Sequence, residues 1–128
     1  MHIQGAVLAS DSGLDIARQP WNSLTVPAVP MVINRMIAVV VAEVRPNDLA
    51  RAVRFTAKVL DGDDYVVGQA ATAMADVWPP AVPLDFPLQK PVVFSFDNVP
   101  IAEFGRYRLE IRAAGEQLAS LPFMVTRT

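Results

Sequence analysis

The chain has 128 residues, 52% of them hydrophobic and 19% charged, with a formal net charge of −2. That length predicts one domain over residues 1–128, able to bury about two-thirds of its surface. There is no cysteine and a single histidine, His2, which excludes disulfide scaffolds, Cys–His and Ser–His–Asp catalysis and His-based zinc sites.

The Arg residues alternate with apolar ones and form no basic stripe in the sequence, so nucleic acid is not an expected partner. Absence of cysteine suits a reducing compartment. Residues 1–8 lack the basic n-region and long apolar run of a signal peptide. The longest apolar run, residues 36–42, is too short to span a bilayer. The expected location is the cytoplasm, with no membrane partner. An apolar excess in such a chain comes from a core rich in Ala and Val, or from a surface that a partner covers.

In chain order, residues 3–9 read as a first strand and Asp11-Ser12-Gly13 as a turn. Residues 14–21 read as a weaker strand. Pro20, Pro27 and Pro30 make 19–31 an extended connection in which any strand lies at an edge. Residues 36–45 form the strongest strand by β-branched content. Its even positions, Met36 to Val44, are apolar throughout. Its odd positions begin with Ile37, Val39 and Val41 and end with Glu43 and Arg45. A strand apolar on both faces is either buried on both sides or meets a partner, so Ile37, Val39 and Val41 are candidate interface residues.

Residues 46–51 break this strand, with one helical turn capped by Asn47. Val53, Phe55, Ala57 and Val59 alternate with polar residues in a half-buried strand. Asp61-Gly62-Asp63-Asp64 reads as a hairpin turn, and 65–75 as the return strand, with a bulge at Gly68. Five prolines between residues 76 and 91 require a non-helical crossing. Val92, Phe94 and Phe96 mark the next strand. A final hairpin turns at Gly115-Glu116 and ends on Ala119, Leu121, Phe123 and Val125. Tyr107, two residues after Gly105 at the start of the first hairpin strand, is placed as a tyrosine corner. There its ring packs in the core and its hydroxyl bonds the backbone.

Seven or eight short strands of this kind predict an all-β, Ig-like antiparallel sandwich. Glu43, Glu110 and Glu116 fall at solvated positions, which gives no carboxylate pair for glycoside chemistry. Asp61, Asp63 and Asp64 fit a turn better than a calcium loop, and glycines occur singly rather than in a phosphate-cradling loop. No enzyme activity, metal or cofactor is expected. Trp21 and Trp78, both beside prolines, either plug the open ends of the sandwich or act as anchor or ligand-stacking aromatics.

The first strand, the isolated Trp21 in a Pro-containing segment, and the ending Phe104-Gly105-x-Tyr107 … Gly115-Glu116-x-Leu118-Ala119-x-Leu121-Pro122-Phe123-x-Val125 together carry a resemblance. The chain resembles small bacterial proteins grouped as a family of unknown function with a predicted Ig-like sandwich. The resemblance implies that fold and no activity. The expected function is a non-catalytic interaction or structural module that binds a protein partner or self-associates. The alternative is a sandwich that binds a small ligand or carbohydrate through Trp21 or Trp78.

Overall fold

The computed structural model describes residues 2–10, 22–49, 52–74 and 76–128. It contains eight strands: β1 (His2–Ser10), β2 (Ser23–Val26), β3 (Met31–Val44), β4 (Val53–Leu60), β5 (Val66–Met74), β6 (Leu88–Ile101), β7 (Gly105–Ala113) and β8 (Glu116–Arg127). A short 3-10 turn, Pro46–Leu49, lies between β3 and β4. No helix among the described residues is long and apolar enough to cross a membrane.

The strands form two sheets, one ordered β1-β3-β6 and the other β2-β8-β7-β4-β5. All pairings are antiparallel except β2 with β8, which is parallel. Period-two patterning explains why the sheets face each other. Met36, Ala38, Val40, Ala42 and Val44 on β3 are fully buried, as are Phe55 and Val59 on β4, Phe96 on β6 and Ile111 on β7. Removing each large apolar side chain from water contributes about 1.5–3 kcal/mol, so one continuous core holds the layers together.

The two longest strands share a feature that alternation alone hides. On β3 the buried positions run Ile33, then Met36, with Asn34 and Arg35 both exposed between them. On β6 they run Phe96, then Val99, with Asp97 and Asn98 both exposed. The register pairs Met36 with Phe96 and Ile33 with Val99, so the slips lie side by side. Asn98 takes a left-handed φ of 54° at this point. A paired slip lets both strands bend without losing their pairing, and the three-stranded sheet is curled into a half-barrel. This is why β3 begins at Met31 rather than at residue 36: simple alternation stops at the slip.

Other boundaries move for local reasons. The turn after β3 is closed by Asp48, not Asn47: the Asp48 carboxylate accepts the Arg45 amide at 2.8 Å, the return half of a capping box. The last hairpin turns on Ala114-Gly115, with φ of 51° and 78°, and Glu116 already pairs with Ala113 in the ladder. Strand β6 passes through Pro91 because it is an edge strand, where a missing N–H is tolerated. β5 carries its bulge at Val67, beside Gly68, since Val59 pairs with Gly68 and Leu60 with Val66. A Cβ on Gly68 would come within 3.3 Å of Val99 and 3.4 Å of Phe96, so Gly68 allows β5 to sit close on β6. The edge strand expected within 19–31 is β2. The strand expected over 14–21 lies outside the described residues.

Candidate functional site

The outer face of the three-stranded sheet is built by β3 and its two neighbours. Val39 pairs with Val7 on β1 and with Val93 on β6; Val41 pairs with Pro91, and Ile37 with Ser95. Ile37, Val39 and Val41 are half-buried, and Val93 is 52% exposed. Polar residues bound the stripe: Arg35 opposite Asp97 at one end, Glu43 opposite Gln89 at the other. The core lies on the other face of β3, and among the described residues no third sheet is layered on this one.

The corner residues follow from strand geometry. Gly105 opens β7 at φ 128°, a conformation that side chains disfavour. Two residues on, Tyr107 turns inward and stacks on its cross-strand neighbour Phe123, with centroids 5.7 Å apart. Its hydroxyl donates to the Glu103 carbonyl at 2.8 Å, four residues back. Burial raises the phenol above its ordinary value of 10.0. The Asp61 and Glu103 carboxylates add to that rise. Beside the corner, Arg127 lies over the Phe104 ring at 5.6 Å.

Trp78 is half-buried and packs against the core, and its indole N–H donates to the Val82 carbonyl at 3.0 Å. It braces the proline-rich crossing, where Val82 and Phe86 amides close successive turns onto Pro79 and Pro83. Arg45 donates to the Asp85 carbonyl and ties this crossing back to the end of β3. Trp21 lies outside the described residues. The Asp61 carboxylate accepts the Asp63 and Tyr65 amides, both at 2.9 Å, which commits it to the turn. An open cleft beside that turn, of about 320 Å³, is lined by Asp61, Asp63, Glu103 and Arg106. A larger one of about 540 Å³ at the opposite end is lined by Asn47, Arg54, Ala114 and Glu116. Among the described residues no cluster of His, Cys, Asp or Glu is placed to hold a metal.

Residues 8–126 match a family of unknown function (DUF6941). The chain belongs to this family. No curated protein and no solved structure matches it. For a DUF6941 member, then, chemistry has to be read from the chain's own surfaces.

One such surface escapes a linear reading. Arg residues that alternate with apolar ones look dispersed along the sequence, yet a strand sends every second side chain to the same face. On the outer face of the five-stranded sheet β4 presents Arg54 and Lys58, and β7 presents Arg106, Arg108 and Arg112. The register sets Arg112 beside Thr56, and Lys58 beside Glu110. The basic stripe that the sequence seemed to lack is thus assembled across two strands. The signal that reveals it is shared parity: cations at even positions of both β4 and β7, opposite buried odd ones.

Proposed function

We propose that the protein is a non-catalytic interaction module that pairs with a second copy of itself through the outer face of the three-stranded sheet. The observation that carries this reading is the open apolar stripe of Ile37, Val39, Val41 and Val93. The outer face of an antiparallel sheet ordinarily turns polar where it meets water. β4 and β7 follow that rule, and the middle of β3 does not. Two such faces stacked about a two-fold axis are self-complementary. An antiparallel arrangement also brings the Arg35 and Asp97 end of one copy over the Glu43 and Gln89 end of the other.

We read the sandwich itself as Ig-like. The two strand orders, the parallel β2–β8 pair at one edge and the Tyr107–Glu103 corner support this.

Light scattering on gel-filtered protein tests the self-association, with Val93→Glu and Val39→Glu as variants. Val93 is half exposed, so its substitution leaves the core intact. The expected result is a wild-type dimer and folded, monomeric variants. A wild-type protein that stays monomeric as concentration rises overturns the reading, as does a Val93→Glu protein that remains dimeric.

A further inference from the structure

The five-stranded sheet carries a second surface of opposite chemistry, independent of the proposed dimer face. Along β4 and β7 its outward positions hold Arg54, Lys58, Arg106, Arg108 and Arg112, five of the eleven Lys and Arg in the chain. At those same outward positions Glu110 is the one carboxylate, while Asp61, Asp63 and Glu103 share a cleft with Arg106 at one end of the strands and Glu116 shares one with Arg54 at the other. The chain is net acidic, so this face is a local reversal of the molecule's field.

The one carboxylate on the face shows how these cations meet an anion. The Glu110 side chain is 15% exposed and lies between two guanidinium groups, 3.4 Å from Arg112 and 3.9 Å from Arg108. Arg108 also reaches Asp64 at the rim, 3.5 Å away, and its Nε is buried with no hydrogen-bond partner. Arg112 also donates to the Gly115 carbonyl at 3.1 Å. Among the described residues no carboxylate pairs with Arg54, Lys58 or Arg106. Glu110 therefore answers part of the charge, and the remainder faces solvent.

We propose that this face binds an acidic, extended segment of a partner protein. Charge selects an anion, and the strand repeat selects its form. Arg54 and Lys58 are four residues apart on one strand, as are Arg108 and Arg112 on the next. Four residues of strand span about 13–14 Å. An extended acidic peptide laid along β4 and β7 has its own same-face carboxylates at the same repeat. Nucleic acid fits less well. Single strands are held by aromatic side chains on which bases stack, and the outward positions of β4, β5 and β7 hold none.

A fluorescein-labelled decaglutamate peptide, titrated with the full chain and followed by anisotropy at low salt, tests this. Oligothymidylate of equal charge is titrated in parallel. Binding of the peptide is expected, weakening as salt rises. Arg54→Glu with Arg112→Glu is expected to weaken it about tenfold or more. Glu110→Gln is expected to tighten it about threefold, because Arg108 and Arg112 lose their internal competitor. Circular dichroism confirms that each variant is folded; should the double reversal unfold, Lys58→Gln with Arg54→Gln replaces it. Three results overturn the proposal: no peptide binding at low salt, unchanged affinity in the cation variants, or tighter binding of the oligonucleotide than of the peptide. Val93→Glu, on the opposite face, is expected to leave the peptide titration unchanged, so this surface and the dimer face stand or fall separately.

Discussion

Two residues on this chain, Ala114 and Tyr107, sit in conformations or environments that single substitutions can test. Ala114 opens the β7–β8 turn at φ 51°, followed by Gly115 at 78°. Both central residues of this two-residue turn have positive φ, which suits Asn-Gly far better than Ala-Gly. Ala114→Asn is expected to stabilise the fold by up to about 1 kcal/mol, because Asn bears a smaller penalty than Ala in the left-handed region. A denaturant midpoint that fails to rise contradicts this. Tyr107 offers a pH signature. Its folded pKa lies above the ordinary 10.0, so the folded state holds the phenolic proton more tightly than the unfolded one does. Its contribution is complete below pH 10.0 and declines as pH climbs from there toward the folded value. Tyr107→Phe is expected to lose about 1 kcal/mol near neutrality, from the missing bond to Glu103. The variant should also show a shallower alkaline decline in urea-melt stability than the parent.

At the scale of elements, the paired slip in β3 and β6 is the feature with most consequence. It lets two 14-residue strands stay paired while the buried set changes parity between Met36 and Ile33, and between Phe96 and Val99. Asn98 sustains it at φ 54°, where Asn is tolerated and β-branched residues are not. Asn98→Val is therefore expected to cost about 1–3 kcal/mol, and Asn98→Gly to be nearly neutral, in thermal unfolding. Equal effects from both would mean that the slip does not depend on backbone conformation at Asn98. Elements also decided how much of the surface chemistry was readable. Ile37, Val39 and Val41 were visible as a second apolar face on one strand, because parity within a strand is a property of the sequence. The cation face was not, because it needs β4 and β7 side by side. Residues 58 and 110 are distant in the chain and adjacent only through the sheet order.

For the molecule as a whole, stability is unevenly spread. β3, β4 and β7 are paired on both sides and line the core, whereas β5 is an edge strand and β2 is a four-residue edge. Amides of the core segments 38–42, 55–59 and 109–111 should exchange slowest with deuterium, near the rate set by global unfolding, and those of β2 and β5 fastest. Slow exchange throughout β5 would instead show that its edge is covered in solution. The two outer faces differ as sharply as the strands do: one apolar and compatible with its own copy, the other cationic. On the two proposals made above, such a module joins copies of itself while holding an acidic partner on the opposite side, and point variants are expected to separate the two interactions.

Composition, alternation and turn residues were enough to determine an all-β chain. They also gave most strand positions, the Tyr107 corner placement and the apolar odd face of β3, since each depends on neighbours within a few residues. Tertiary structure alone decided the sheet orders, the parallel β2–β8 pair, the extension of β3 and β6 past their shared slip, and the gathering of Arg54, Lys58, Arg106, Arg108 and Arg112. These depend on which strands lie beside each other. Pairing between distant segments is fixed by the packing of the shared core, which no local pattern records.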